Sequence, residues 1–314
     1  MATITSIGIG NMGAALASAL LKSAGVRQLT IWNRTADRPQ VKSLVEQGAH
    51  FEPSVAAAVA RSDTILLCLL DYQTVNTAVF EAVSPGGLAG KTVINVTNGT
   101  PGQAREAEAR CKGLGAAAYF DGGIMVTPQQ IGTPEALVVL SGEDESAFRA
   151  AGGPAELLKP VGAIQYIASD AGAAALYDLA ALAAMFGMFA GAFTGIALLK
   201  KQKRQRQDRG GRGEGGDNKA AAKPATDSVI VPVLNALVPY AGLIADGVDK
   251  ENWMDDMGNP LNMQAIALRN ILQASEEEGV DGEGLKFISR LMDRAVADGF
   301  GPGGVSAIAR YMFK

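Results

Sequence analysis

Gly8-Ile9-Gly10-Asn11-Met12-Gly13 closes a β-branched run, Thr3 to Ile9, and opens a helical stretch, Met12 to Ser23. G-x-G-x-x-G in that strand-to-helix setting is the fingerprint of a dinucleotide-binding turn. Gly8 permits the tight turn, Gly10 lets a pyrophosphate approach the backbone, and Gly13 lets helix and strand pack closely. The helix start then offers free N–H groups to the phosphates. The whole turn, with Ile9, Asn11 and Met12, is therefore read as cofactor-binding.

Outward from this turn, short apolar runs alternate with helical stretches. The expected strands are Thr3 to Ile9, Leu29 to Trp32, Thr64 to Leu69, Thr92 to Val96, Ala117 to Phe120, Leu137 to Leu140 and Ala163 to Ile167. Such alternation predicts a parallel sheet wound with helices on both faces, an α/β domain spanning residues 1–168. From Asp170 onward strand signals vanish. The rest reads as helices broken at Pro224, Pro239, Pro260 and the stretch Gly299 to Gly304. The expected organisation is an interdomain helix at 169–200, a basic Gly-rich insertion at 201–223 and a helical domain at 224–314.

Composition narrows the chemistry. The 314 residues are 48% apolar and 19% charged with net charge −4, which suits a globular chain of about two domains. Cys68 and Cys111 are the only cysteines and His50 is the only histidine. Ser-His-Asp catalysis and multi-histidine metal sites are thereby excluded, and a reducing compartment is expected. His50, between a glycine turn and Pro53, reads as an exposed loop residue. Met1 to Gly10 lacks the basic start and long apolar run of a secretory signal, so a cytoplasmic location is expected.

The tip of the second strand selects the cofactor. An NAD enzyme places an acid there for the ribose hydroxyl, whereas this chain has Asn33-Arg34-Thr35, with Arg38 a turn further on. A guanidinium, an amide and a hydroxyl suit a 2′-phosphate, and NADPH is the expected cofactor. Asn98, in Asn95-Val96-Thr97-Asn98-Gly99-Thr100-Pro101, emerges where ligands bind in such sheets. It orients nicotinamide or substrate, or it is a turn residue before a helix. The stretch Phe120 to Pro128 reads as a loop lacking Arg, Lys and Ser, with apolar Ile124, Met125 and Val126, so a greasy substrate is expected.

Asp178 enters an uncharged run, Leu179 to Leu199, and no Lys or Arg occurs between Lys159 and Lys200. Apolar surroundings raise a carboxyl pKa, which would let Asp178 hold or donate a proton near neutrality. Leu182, Met185 and Phe186 share its helical face. The alternative is an exposed charge at a helix N-terminus.

By length and positive flank, Leu179 to Leu199 could span a membrane. Its alanines, threonine and Gly187, Gly191 and Gly195 favour instead a buried helix that another helix approaches closely along a small-residue groove. Lys200 to Lys223 carries nine Lys or Arg and three acids, +6 in all, leaving −10 on the rest. Without interleaved aromatics it reads as a solvated linker rather than a nucleic-acid site. Neither membrane nor nucleic acid is expected as a partner.

Taken together, GIGNMG, Ile31 to Thr35, Cys68 to Leu70, Asn95 to Pro101, Gly122 to Ala136, Ser169 to Ala180 and Asn262-Met263-Gln264 resemble the imine reductases, and within them the fungal reductive aminases. The resemblance covers nearly everything except Lys200 to Lys223. It implies a Rossmann domain joined by one long helix to an all-helical dimerisation domain, in an intertwined homodimer with active sites between subunits. It also implies NADPH-dependent reduction of C=N bonds on a small hydrophobic imine, or on a ketone and an amine. Asp178 matches the catalytic acid and Asn98 the asparagine of the TNGTP loop, at both catalyst and cofactor. Asn33, Arg34, Thr35 and Arg38 match the 2′-phosphate site, and Leu69 and Leu70 the cofactor edge. Met125, Leu182, Phe186 and Gln264 fall in the substrate pocket. Reductive aminases commonly carry tyrosine where this chain has Phe186, a departure that bears on amination. The competing expectations are an NADP-dependent β-hydroxyacid dehydrogenase, whose helix lysine and polar loop are missing here, and a non-catalytic or membrane-anchored NADPH-binding protein.

Overall fold

The computed structural model describes residues 1–208, backbone alone from 202, and residues 222–313. Two compact units divide the chain, Met1–Ala183 and Ala184–Lys314.

In the first unit an eight-stranded sheet is assembled from β1 (Ala2–Ile7), β2 (Val26–Trp32), β3 (His50–Phe51), β4 (Thr64–Leu67), β5 (Thr92–Asn95), β6 (Ala118–Ile124), β7 (Leu137–Ser141) and β8 (Ala163–Tyr166). Its order is β3-β2-β1-β4-β5-β6-β7-β8, so the chain starts in the middle and winds to both edges. That reversal beside β1 opens the crevice where such sheets bind ligands. The helices are α1 (Asn11–Leu21), α2 (Pro39–Glu46), α3 (Val55–Ala60), α4 (Tyr72–Val75), α5 (Pro101–Gly113), α6 (Glu145–Arg149) and α7 (Pro154–Leu157). Ile4, Leu16, Leu20, Leu29, Ile31 and Phe120 fill one side of the sheet; Ile7, Ile65, Leu67, Val93 and Tyr119 fill the other. Central strands buried on both faces read as continuous apolar runs, which is why they were legible.

Three expectations change here. The sheet is not wholly parallel, because β7 runs antiparallel to β6 while β8 returns parallel to β7. Asp121 to Ile124, expected as loop, continues β6; paired glycines discourage a strand reading, yet Gly122 stands opposite Leu140 and Gly123 opposite Val139. A Cβ at Gly122 would lie 2.4 Å from the Val139 carbonyl oxygen, so the close approach requires glycine. His50, expected in a loop, is exposed on the two-residue edge strand β3, opposite Thr30.

The helix α8 (Gly172–Asp208) begins in the first unit and continues into the second, eight residues beyond the end expected at 200. Of the expected insertion, residues 209–221 lie outside the described residues. The second unit continues with α9 (Ala222–Ala225), α10 (Val231–Leu237), α11 (Tyr240–Asp249), α12 (Leu261–Glu277) and α13 (Glu283–Ala295). Pro224, expected to break a helix, lies within α9. Pro239 and Pro260 do stand at boundaries, as the N-caps of α11 and α12. Leu261, Ala265, Met292, Ala295, Ala307 and Ile308 form the unit's core. Among the described residues, Gly172–Lys201 and Ala222–Asp249 are long and apolar enough to cross a membrane by length and composition. The glycine groove expected to seat a helix backbone is not filled by this chain's described residues: nothing approaches the Cβ positions of Gly187 and Gly191, and Gly195 meets only Ile230 at 3.5 Å.

Candidate active site

The glycine turn between β1 and α1 is shaped as its spacing requires. Gly8 has φ +97°, and a Cβ there would lie 2.2 Å from the Cys68 carbonyl oxygen. A Cβ at Gly13 would meet the Gly8 carbonyl oxygen at 1.9 Å, so helix and turn touch through glycine. Gly10 opens onto free space. It is the N-cap of α1, makes no side-chain cap bond, and no acid occupies the first turn. The first N–H groups of α1 thus keep their hydrogen-bonding capacity for an anion, and a dinucleotide pyrophosphate fits this cradle.

Asn33 joins the turn to the tip of β2. Its Oδ1 accepts the Ile9 N–H at 3.0 Å and its Nδ2 donates to the Thr35 carbonyl at 2.9 Å. Arg38 Nη1 donates to the Ile9 carbonyl at 3.5 Å, and Asn11 Oδ1 accepts from Gln40 Nε2 at 3.0 Å. Arg34 is exposed and makes no hydrogen bond or ion pair among the described residues, leaving its guanidinium for a ligand. No carboxylate stands at Asn33, Arg34 or Thr35, in keeping with a phosphate rather than a ribose hydroxyl there. On the neighbouring tip, the Leu69 N–H donates to Thr97 Oγ1 at 3.1 Å; Leu70 is 85% exposed.

Asn98 and Asp178, eighty residues apart, are brought together: Asn98 Nδ2 donates to Asp178 Oδ2 at 2.7 Å. The N-cap of α5 is Thr100, in a capping box with Gln103, so Asn98 does not cap that helix. Asp178 is only 8% exposed and lies well inside α8 rather than in its first turn. Three contacts set the start of α8. Arg105 donates from Nε and Nη2 to both oxygens of Asp170, at 2.8 and 2.7 Å. Ser141 Oγ donates to the Ala171 carbonyl and accepts the Ala174 N–H, each at 2.9 Å. A Cβ at Gly172 would meet Arg105 and the Pro101 carbonyl at 2.9 Å, so α5 and α8 begin in close contact.

Met125 follows β6 close to Asp178, since a Cβ at Gly123 would lie 2.7 Å from Asp178 Cβ and 2.8 Å from Met125 Cε. Leu182 is half-buried one turn along α8. Phe186 and Gln264 belong to the second unit. Phe186 is 62% exposed and meets Phe189 edge-on, with ring centroids 6.0 Å apart. Gln264, on α12, donates from Nε2 to the Asn259 carbonyl at 2.7 Å.

One cluster escaped sequence reasoning. Beneath the site lie Asn95, Tyr119, Asp121 and Tyr72, all buried. Tyr72 and Tyr119 donate their hydroxyl hydrogens to Asp121 Oδ2 at 2.5 and 2.6 Å. Burial pushes the Asp121 carboxyl up to about 7, against the opposing pull of these hydrogen bonds. Burial and the adjacent carboxyl hold both tyrosine hydroxyls well above their usual range. The only available signal was an acid within an otherwise apolar run, and two following glycines disguised it as loop.

A glycine cradle at a helix start, an acid-free strand tip carrying Arg34 and a buried carboxylate paired with an amide are features that an NADP-dependent oxidoreductase of two domains requires. Residues 3–167 match the NAD binding domain of 6-phosphogluconate dehydrogenase, and residues 170–314 match the C-terminal domain of NADPH-dependent reductive aminase-like proteins. The chain is 34% identical over 304 residues to an NADPH-dependent reductive aminase of Aspergillus oryzae, covering 97% of this chain and 95% of that one. Among solved structures it resembles the Aspergillus terreus reductive aminase in complex with NADPH4, cyclohexanone and allyl amine, at 35% identity, full coverage of both chains and TM-score 0.85. An Aspergillus terreus imine reductase in complex with NADPH4 and dibenz[c,e]azepine is 36% identical, with 99% of each chain covered and TM-score 0.80. The chain belongs to the NADPH-dependent reductive aminase-like family.

Proposed function

We propose that this protein reduces C=N bonds of hydrophobic imines with NADPH, taking either a preformed imine or the condensation product of a ketone and an amine. Bound NADPH supplies the hydride. The turn that Gly8, Gly10 and Gly13 shape would hold its pyrophosphate against the first N–H groups of α1, and Arg34, with Asn33, Thr35 and Arg38, would hold the 2′-phosphate. Asp178, as carboxylate, stabilises a cationic iminium nitrogen from a site shielded from water; protonated, it hands a proton to that nitrogen. Asn98 fixes one oxygen of Asp178 and leaves the other for the substrate. Apolar neighbours such as Met125 and Leu182 orient the remainder of the substrate.

The observation that carries this reading is the 2.7 Å bond from Asn98 to a buried Asp178 in a chain of this family. The test is NADPH consumption with a cyclic imine, then with ketone plus amine, by the wild type and by Asp178→Ala. Turnover should collapse in the variant while NADPH affinity stays nearly intact, and an unchanged rate would reject the assignment. Phe186, lacking a hydroxyl, favours imine reduction over coupling, so Phe186→Tyr should improve the ketone-plus-amine reaction more than the imine reaction.

The same reading makes the enzyme a cytoplasmic homodimer. The dimer is supported by exposed Phe186, Phe189 and Phe193 on α8 and by the open Cβ positions of Gly187 and Gly191, which suit a second copy. The cytoplasmic location is supported by two free cysteines, whose thiols burial pushes up to about 11 at Cys68 and about 12 at Cys111.

A further inference from the structure

The buried cluster beneath the site reaches the Asn98–Asp178 pair by three routes. Asn95 Oδ1 accepts the Thr97 N–H at 3.1 Å, and Asn95 Nδ2 donates to Tyr119 Oη at 3.1 Å and to Asp121 Oδ2 at 3.5 Å. The Tyr72 ring lies directly under Gly99, where a Cβ would be 2.3 Å from it, so the residue after Asn98 rests on the ring whose hydroxyl grips Asp121. Two residues along β6 from Asp121, Gly123 packs against Asp178 itself. Asp121 is 1% exposed, and its second oxygen, Oδ1, is buried without a hydrogen-bond partner. A half-satisfied buried carboxyl is costly, and a network of this kind fixes geometry when its members are held.

We propose that Asp121 is a positioning residue: gripped by Tyr72, Tyr119 and Asn95, it fixes the Asn98–Asp178 pair from behind and, when ionised, sets a second negative charge in the field of Asp178. The inference rests on the imine-reducing role of Asp178. The groups facing Asp121 are Tyr72 from α4, Tyr119 from β6, Cys111 from α5 and Asp178 from α8. None of them brings a positive charge. The charge of Asp178 is among the causes that raise the Asp121 carboxyl, so the two acids are electrostatically linked and ionisation of Asp121 changes the field at the reacting nitrogen and hence turnover.

The experiment measures kcat against pH for imine reduction, with NADPH affinity followed separately by fluorescence titration, in the wild type, Asp121→Asn and Tyr72→Phe. Wild-type turnover comes first; if the wild type reduces no imine, the functional reading fails before Asp121 is tested. The expected wild-type profile has a step near pH 7. Asp121→Asn should abolish that step, with NADPH affinity within about twofold of wild type. Tyr72→Phe keeps the ring under Gly99 but removes a donor to the carboxylate. It should move the step upward by half a unit or more, roughly a threefold change in proton affinity. A profile without a step in the wild type, or a step left in place in both variants, overturns the proposal. So does an equal loss of turnover and NADPH affinity at every pH in Tyr72→Phe, which would mark the cluster as structural support alone.

Discussion

Gly123→Ala is the sharpest perturbation available at this site. The residue is in β6 opposite Val139, in ordinary extended backbone, so alanine brings no dihedral strain and acts only through its methyl group. That methyl would lie 2.7 Å from Asp178 Cβ, short by about 0.7 Å of the 3.4 Å at which ordinary contact begins, and 2.8 Å from Asp178 Cγ. Backbone holds both sides, with β6 paired to β7 and α8 held by Ser141 and Arg105, so Asp178 takes up most of the displacement. A shift of that size stretches the 2.7 Å bond from Asn98 to the edge of hydrogen bonding. Losing a hydrogen bond to a charged group costs about 1.5–3 kcal/mol, so kcat should fall roughly 10- to 100-fold. Overpacking should lower unfolding stability by about 1–3 kcal/mol. NADPH affinity should change by less than about twofold, because the glycine turn is untouched. Stopped-flow turnover, urea unfolding and NADPH titration read these three quantities. Wild-type kcat in a folded Gly123→Ala protein would refute the claim that Asp178 must stand where β6 places it.

Three further outcomes follow from the same geometry. Arg34→Glu should lower the ratio of kcat/KM for NADPH over NADH by roughly 10- to 100-fold, and an unaltered ratio would exclude Arg34 from phosphate recognition. Ser141→Ala leaves the Ala171 carbonyl and Ala174 N–H without their partner and should cost about 1–3 kcal/mol, whereas Arg105→Ala removes an exposed ion pair and should cost under about 1 kcal/mol; equal costs in urea unfolding would contradict this account of how α8 is anchored. The native state holds the Asp121 proton up to about pH 7 while the unfolded chain releases it near 3.8, so this group makes stability fall as pH rises between those values and leaves it flat above. Its slope is at most about 1.4 kcal/mol per pH unit, and Asp121→Asn should remove it; Asp71, Asp144 and Asp170, held below their usual value by hydrogen bonds, act only at lower pH and with opposite sign.

From sequence alone the cofactor half of the molecule was legible. Gly8, Gly10 and Gly13 answer to local sterics, which the spacing of a few residues encodes, and Asn33 and Arg34 follow at a fixed distance along the same β1-α1-β2 unit. Central strands such as Thr64–Leu67 were readable because burial on both faces leaves an unbroken apolar run. Asp178 was singled out by the absence of other charge around it, and Asn98 by its place after a strand, but their hydrogen bond spans eighty residues and no local pattern carries it. The antiparallel turn of β7, the continuation of β6 through two glycines and the convergence of Tyr72, Tyr119 and Asn95 on Asp121 were decided only in three dimensions. Glycine lowers strand propensity wherever it occurs, and only the neighbours packed against Gly122 and Gly123 show why it was needed there. Likewise a carboxyl's burial and partners come from strands and helices distant in sequence, so Asp121, desolvated by the fold, is an acid that the chain read residue by residue left unassigned.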